Sequence, residues 1–227
     1  MNLADSTNPM IPGSLAVDFG GHAMHLLPQR AIWWPTRRTL LLADVHFGKS
    51  AAFRVRGVPV PGGSTARDLS RIADLLASTA ATRLIILGDL VHGPVGKLAE
   101  LIQAITAWRR AHQHLEILLV RGNHDRAAGR VPSEWNMREV AEPHLEDVFQ
   151  FSHTPPDRCD KPTFAGHIHP TAHLRDFDGS VVCTPCFVLE RNCLTVPAFG
   201  TFTGGYPIYP QDDRFIYVVS PTRVVRL

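Results

Sequence analysis

Three short apolar runs, each followed at once by side chains that can bind metals or phosphates, limit what this chain can fold into. The runs cover residues 39–43, 83–87 and 115–120. They end at Asp44, at Gly88-Asp89 and at Arg121-Gly122-Asn123. Continuous apolar runs of this length are typical of strands that are buried on both faces of a sheet. We therefore predict three central strands with polar groups at their carboxyl ends.

The segments between these runs have helical periodicity. Residues 66–76 place four apolar side chains on one stripe, with Ser64 or Thr65 as the expected N-cap, and residues 98–108 form a second stripe. Strands that alternate with amphipathic helices indicate parallel β-α-β units.

The remaining strand-like segments are shorter. We predict strands at residues 15–19, 23–27, 31–34, 148–152, 163–165, 172–177, 181–189 and 215–219. The later group is separated by Pro, Gly and Asp, which favours a second, more antiparallel sheet. The predicted fold class is α/β (α+β in some schemes), with two packed mixed sheets flanked by helices. We expect one domain over residues 1–227.

Composition excludes several classes of protein. The chain is 44% hydrophobic and 19% charged, which is typical of globular proteins and not of disordered ones. No apolar run is long enough to cross a membrane, and the first ten residues lack the basic and apolar blocks of a signal peptide. We therefore expect a cytoplasmic protein. Cys183 and Cys186 have the C-x-x-C spacing, but no second pair follows, so we predict buried, reduced thiols in a strand.

Further side chains with metal-binding capacity follow later strand-like segments, at Ser152-His153 and at Gly166-His167-Ile168-His169. Because ligands bind at the carboxyl ends of the strands in open α/β sheets, we expect these groups to converge. The converging set is Asp44, His46, Asp89, Asn123, His153, His167 and His169. Mixed carboxylate, imidazole and amide donors suit Mn²⁺, Fe or Zn²⁺. Seven donors suit two ions that share a carboxylate. His144 and His173 are the alternatives to His153 as a metal ligand.

The order D-x-H, G-D, G-N-H-D, H and G-H-x-H resembles the calcineurin-like metallophosphoesterase superfamily, and it extends from Asp44 to His169. Residues 42–49 (LADVHFGK), residues 88–92 (GDLVH) and residues 197–205 (PAFGTFTGG) are similar to bacterial ligase-associated DNA damage response endonucleases of the PdeM type. The resemblance implies a metallophosphoesterase-like β-sandwich and a phosphodiesterase that acts on DNA.

The resemblance also implies roles for individual residues. One group would hold the first metal ion, namely Asp44, His46 and His169. A second group would hold the other ion, namely Asn123, His153 and His167, and Asp89 would bridge the two. The expected metal is Mn²⁺, with Fe and Zn²⁺ as alternatives. His124 would act beside the scissile phosphate, and Asp125 would orient it.

Several basic residues near these motifs are candidates for substrate binding. The stronger candidates are Lys49 and His92, and the others are Arg54, Arg56, Arg121, Arg126 and Arg130. The net charge of +2 is not a strong signature of nucleic-acid binding, so DNA as the substrate depends on the resemblance. The resemblance further implies a DNA ligase or a helicase as repair partners. A homodimer is a further possibility.

Two other functions remain open at the level of sequence. Within the same fold, the chain can be a phosphatase or a small-nucleotide phosphodiesterase, which a deep and closed pocket would favour. In a different class, it can be a weakly active metal-binding scaffold in a repair complex. The complete set of seven donors argues against the scaffold.

Overall fold

The computed structural model of the protein describes residues 11–93, 99–175 and 178–227. Three sequence predictions fall outside the described residues: the segment 1–10, Leu98 in the second predicted helix, and the last two positions of the strand predicted at residues 172–177.

Within the described residues, the first sheet contains seven strands in chain order. They are β1 (Leu15–Phe19), β2 (His22–Leu27), β3 (Ala31–Trp34), β4 (Thr39–Leu42), β5 (Arg83–Leu87), β6 (Glu116–Val120) and β7 (Arg138–Val140). Strands β1 to β4 pair antiparallel, and β4 to β7 pair parallel. The three apolar runs of the sequence are the adjacent parallel strands β4, β5 and β6, so their carboxyl ends meet at one edge.

The second sheet contains nine strands in the part of the chain that the structure describes. They are β8 (His144–Glu146), β9 (Phe149–Phe151), β10 (Thr163–Ala165), β11 (Pro170–Arg175), β12 (Val181–Glu190), β13 (Cys193–Thr195), β14 (Tyr206–Ile208), β15 (Arg214–Val219) and β16 (Val224–Arg226). Most neighbours are antiparallel, but β10 pairs parallel with both β9 and β13, and β11 pairs parallel with β14. The sheet is therefore mixed, as predicted.

Four α-helices accompany the sheets in the described residues: α1 (Lys49–Val55), α2 (Ser64–Thr79), α3 (Ala99–Ala111) and α4 (Asn123–Ala128). Single 3₁₀ turns occupy Pro35–Arg37 and Ser133–Trp135. Helices α2 and α3 bury their predicted apolar stripes against one face of the first sheet. The predicted N-cap of α2 is wrong, because Gly63 occupies the cap and Ser64 and Thr65 are already helical.

The two sheets pack on each other through a core that is rich in aromatic side chains. Trp34 and Phe19 of the first sheet contact Phe149 and Phe164 of the second at ring-centroid distances of 4.9–5.9 Å. Leu41, Ile85 and Leu118 belong to the same buried cluster. Two packed mixed sheets with helices on an outer face confirm the predicted fold class.

Two further sequence predictions concern cysteines and membranes. Cys183 and Cys186 both lie in β12 with free thiols, and Cys186 is buried as predicted. The prediction is wrong for Cys183, which is exposed because the first part of β12 extends beyond the core. In the described residues, no helix combines the length and the apolar character needed to span a membrane.

Candidate metal centre

Five strand ends deliver polar side chains to one edge of the two sheets. Asp44 and His46 follow β4, and Asp89 follows β5. Asn123 and His124 follow β6 as the first residues of α4, His153 follows β9, and both His167 and His169 follow β10. The connecting segments are held by backbone hydrogen bonds between strand ends, since His46 N donates to Asp89 O at 2.8 Å.

Asp44, His46 and His169 form a first cluster, in which the potential ligand atoms lie within 4.8 Å of one another. His169 Nε2 lies 3.3 Å from Asp44 Oδ1 and 3.4 Å from His46 Nε2. The three side chains come from two strand ends that are 123 residues apart along the chain.

Asp89, His153 and His167 form a second cluster with the same compactness. His167 Nδ1 lies 3.0 Å from His153 Nε2, and Asn123 Oδ1 lies 3.0 Å from the same nitrogen. The structure thus brings Asn123 to this group as an amide-oxygen donor.

Asp89 lies between the two clusters. Its Oδ2 is 3.7 Å from His46 Nε2, and its Oδ1 is 3.5 Å from His153 Nε2. Asp89 is 2% exposed, so its carboxylate lies inside the protein. Each of its two oxygens faces a different cluster. This arrangement fits one carboxylate that is shared by two ions.

The chemistry of the donor set fits divalent metal ions. Asp44 Oδ1 is buried and has no hydrogen-bond partner among the described residues. A buried carboxylate oxygen without a partner is costly unless a cation neutralises it. Burial, nearby Lys49 and the neighbouring histidines together lower the pKa of His46 to about 2. Burial also lowers the pKa of His167. Neutral imidazoles have the free lone pair that metal binding requires.

Glycines make room for the clustered side chains at three points. A Cβ on Gly88 would overlap the His153 ring, and one on Gly122 would overlap Asp89 Oδ1. A Cβ on Gly166 would lie 2.7 Å from Asp44 Oδ2. Each of the G-D, G-N-H-D and G-H-x-H motifs therefore needs its glycine because a donor from another strand end occupies that space.

His124 lies at the edge of the clusters. Its backbone N–H donates to Asp89 Oδ1 at 2.9 Å, and its Nε2 is 4.0 Å from Asp89 Oδ2. The side chain is 36% exposed, so one side of the ring faces solvent above the donors. The His92 ring packs against it with a centroid distance of 4.6 Å, and burial lowers the pKa of His92 to about 4.

Asp125 is buried beside the clusters. The resemblance implies that it orients the His124 side chain, but its hydrogen bonds go to backbone groups. In the described part of the chain its carboxylate accepts hydrogen bonds from Gly122 N at 3.0 Å and Val91 N at 3.2 Å. Burial raises its pKa to about 6, although both of these amides lower it. These contacts hold the turn that carries Asn123 and His124, so Asp125 positions the site through the backbone.

The predicted basic residues occupy different surroundings. Lys49 begins α1, where burial lowers its pKa although Asp44 and Asp89 raise it. Arg54 is exposed and donates to Pro61 O, whereas Arg126 Nη1 is paired with Glu142 Oε1 at 3.0 Å. Arg121 donates to the backbone of its own segment and is 3.2 Å from Glu139. Arg56 and Arg130 are exposed.

The two alternatives to His153 lie elsewhere. His144 is on β8 with its Nε2 at 3.7 Å from Glu146, and His173 is an exposed residue of β11. Neither belongs to a cluster of potential ligands in the described chain.

Sequence reasoning missed Glu142, which holds His153 in place. One oxygen of Glu142 accepts hydrogen bonds from Ser152 Oγ at 3.0 Å, His153 N at 2.9 Å and Thr154 N at 2.8 Å. Hydrogen bonds from these groups lower the pKa of Glu142 against the opposing effect of burial. No spacing rule links it to His153, so only the folded chain reveals the contact.

Comparisons with known proteins agree with this geometry. A family model described as calcineurin-like phosphoesterase matches residues 37–183. The chain is similar to a nuclease MPE from Pseudomonas putida, with 37% sequence identity and a TM-score of 0.82 to its crystal structure. That match covers 94% of this chain and 100% of the other. A protein of unknown function from Aquifex aeolicus has 17% identity and a TM-score of 0.39, covering 58% and 78% of the two chains. No curated protein matches the chain significantly.

Proposed function

The chain belongs to the calcineurin-like phosphoesterase family, and from this premise we propose that it is a two-metal phosphodiesterase that cuts DNA. The observation that carries the proposal is the convergence of seven donors in two adjacent clusters with Asp89 between them. The similarity to a bacterial nuclease supports a nucleic acid as the substrate.

We assign the donors as the family resemblance implies. Asp44, His46 and His169 would hold one ion. Asn123, His153 and His167 would hold the other, and Asp89 would be shared by the two. The mixture of imidazole, carboxylate and amide donors favours Mn²⁺, with Fe and Zn²⁺ as alternatives. Ions bound there act as Lewis acids on the phosphodiester.

The protein's own groups supply orientation and a proton. The His124 side chain is 36% exposed with its Nε2 4.0 Å from Asp89 Oδ2, so we assign it to the leaving oxygen of a phosphodiester bound at the clusters. A protonated His124 donates a hydrogen bond to the phosphate or a proton to that oxygen. Lys49 adds a positive charge beside the same phosphate. Asp125 and Glu142 hold the turns that carry His124 and His153.

A cleavage assay tests the metal-dependent reaction. Protein treated with a chelator should not cut single-stranded or duplex DNA, and added Mn²⁺ should restore cleavage. His167→Ala should lose at least two orders of magnitude of activity because it removes a ligand. His173→Ala is the matched control, since it also removes an exposed histidine, and it should keep activity. Hydrolysis of phosphomonoesters without DNA cleavage would identify a phosphatase instead.

His124→Ala tests the proton donor separately from the ligands. Diester turnover should fall by about 10²–10⁴-fold, which is the usual contribution of a general acid. Two metal ions should still bind, as measured by metal analysis of the purified variant. Esters with acidic leaving groups should be less affected because they need little protonation. Loss of an ion from the variant would make His124 a ligand.

The salt dependence of cleavage tests DNA as the substrate. Binding to phosphates through Arg54 releases counterions, so DNA cleavage should fall steeply with salt, whereas hydrolysis of a small diester should not. Arg54→Ala should reduce this slope. Arg110→Ala is the control, because Arg110 lies in the last turn of α3, which leads to the start of β6 and so away from the carboxyl ends of the strands. Equal slopes for both substrates would argue against DNA.

Action in DNA repair, association with a DNA ligase or a helicase, a homodimer and a cytoplasmic location stay predictions from the sequence. Co-purification with a DNA ligase or a helicase tests the association with repair enzymes, and sedimentation tests the homodimer.

A further inference from the structure

A row of rings leads from the candidate metal centre to a cavity that the proposed chemistry does not use. His92 packs on His124 with a centroid distance of 4.6 Å and an interplanar angle of 31°. Phe53 lies 6.4 Å beyond His92 with an angle of 26°, and Phe202 meets Phe53 edge to face at 5.5 Å. The row therefore connects the place of the scissile phosphate with two phenylalanines.

The cavity at the end of this row has a volume of about 320 Å³. It is lined by Lys49, Phe53, Thr201, Phe202, Thr203 and Gly204. The lining combines aromatic faces with one cation and two hydroxyl groups. Small-molecule sites have the same character, with apolar walls and a few polar groups that fix orientation.

Both phenylalanines are on segments that are anchored to helix α2. The segment of Phe202 is anchored to α2, because Thr201 N and Thr201 Oγ1 donate to the buried Asp68 Oδ2 at 3.2 and 3.3 Å. Helix α1, which carries Phe53, is linked to α2 by a 2.6 Å hydrogen bond between Ser50 and Ser64. The two rings are thus positioned before any substrate binds.

Lys49 determines which kind of ligand the cavity can bind. Its side chain lines the cavity, and the charges of Asp44 and Asp89 raise its pKa against the effect of burial. A ligand that enters beside the metal centre therefore meets an aromatic pair for a flat ring and a cation for an anion. A nucleotide offers both groups in one unit.

We propose that this cavity binds the base of the nucleotide next to the scissile phosphate. The base stacks on Phe202 and meets Phe53 edge to face, since the two rings are nearly perpendicular, while Lys49 contacts the phosphate of that nucleotide. The proposal rests on the proposed DNA cleavage. Every base has a π-face, so stacking of this kind accepts different bases. A base can enter only when it is unpaired, since a paired base is stacked inside the duplex.

Single-stranded oligonucleotides with and without bases test the subsite. The first substrate is a labelled oligonucleotide, and the second is the same strand with abasic tetrahydrofuran units at all internal positions. Because stacking on an aromatic ring contributes about 5- to 100-fold per base, wild-type protein with Mn²⁺ should cleave the normal strand faster by that factor. This comparison needs no variant, so it stands even if a variant fails to fold.

Phe202→Leu should bring the ratio of the two cleavage rates close to one, and Phe202→Trp should keep it high. Phe215→Leu is the matched control, because Phe215 is 40% exposed on β15 outside the cavity, and its ratio should equal that of the wild type. A wild-type ratio near one, or a ratio that Phe202→Leu leaves unchanged, would overturn the proposal. If a small diester is hydrolysed but neither strand is cut, the proposed action on DNA fails, and the subsite fails with it.

Discussion

At the scale of single residues, five of the seven candidate ligands share an uncommon backbone conformation. Asp44, His46, Asp89, His167 and His169 all have positive φ angles, between 50° and 69°. Each such non-glycine residue costs about 1–3 kcal/mol and persists only where the surrounding structure enforces it. The left-handed turns bring both donors of D-x-H into the first cluster and divide the donors of H-x-H between the two clusters. The protein therefore holds strained turns where its donors meet.

Asp89→Asn should lower diester hydrolysis by orders of magnitude, more than any other single ligand substitution. The carboxylate at Asp89 faces both clusters and offsets the repulsion between two dications, which a neutral amide cannot do. Turnover at limiting Mn²⁺ and the number of bound ions measure the effect. Asp212→Asn, an exposed control, should change neither. Near-native turnover of Asp89→Asn at limiting metal would contradict the bridging role.

Gly122→Ala should lower metal affinity at least tenfold without removing a ligand. The added methyl group would overlap Asp89 Oδ1, so the carboxylate has to move. Titration calorimetry with Mn²⁺ measures the affinity. Gly62→Ala is the matched control, because its Cβ has 3.8 Å of space to the nearest side-chain atom. If Gly122→Ala binds Mn²⁺ as tightly as the wild type, the close approach does not matter for the site.

At the scale of secondary-structure elements, the strands and helices with a clear apolar pattern in the sequence were predictable. The central strands and the stripes of α2 and α3 follow from apolar periodicity alone. Helices α1 and α4 were not predicted, because seven and six residues are too few to establish a helical period. The N-cap of α2 was wrong for a tertiary reason, since Ser64 bonds to Ser50 and Thr65 accepts a hydrogen bond from Gly48 N.

The candidate site was predictable in part: its metal-binding side chains were, and the groups that support them were not. Its donors directly follow apolar runs, so their position at one edge of the sheets follows from strand direction. The groups that support the donors, such as Glu142 and Asp68, were not predictable. Their partners lie far away along the chain, as Asp68 and Thr201 do, and no periodicity marks them.

Asp68→Asn should loosen the segment of residues 197–205. Asp68 is 3% exposed, and it binds Arg71 at 2.9 Å as well as Thr201. Arg71 in turn donates to Phe199 O at 2.8 Å. Weakening a buried charged hydrogen bond costs about 1–3 kcal/mol, so the free energy of unfolding should fall by that amount. Hydrogen exchange at residues 199–203 should rise as well.

Asp74→Asn is the control for this prediction, because it changes an exposed aspartate on the same helix. It should leave both the free energy of unfolding and the exchange rates unchanged. Unaltered exchange in Asp68→Asn would show that the segment does not depend on this anchor.

At the scale of the whole molecule, the two sheets are joined by a shared core and by a pair of charged side chains. The aromatic cluster draws residues from both sheets, and for this reason we propose that the chain folds as one domain. Arg83 of β5 reaches across to Glu146 of β8 in a bidentate contact, with Nη2 to Oε2 at 2.8 Å. Arg83 also lies 3.0 Å from Glu116 of β6. A single cooperative unfolding transition is expected.

Glu146→Gln should reveal this contact between the sheets through its pH dependence. The hydrogen bond and charge of Arg83 lower the pKa of Glu146 from the ordinary 4.5, against the effect of burial. An acid with a lowered pKa in the folded state stabilises the protein above its unfolded pKa, and the stabilisation disappears as the pH falls through the folded value. At pH 7 the variant should therefore be less stable by about 1 kcal/mol. The difference should shrink below about pH 4.5 and then vanish, because a protonated glutamate resembles glutamine.

Urea unfolding with chelator at each pH measures this difference in the free energy of unfolding. Glu134→Gln is an exposed control, and its free energy of unfolding should equal that of the wild type at every pH. A destabilisation that is constant with pH would mean that Glu146 acts through packing and not through its charge.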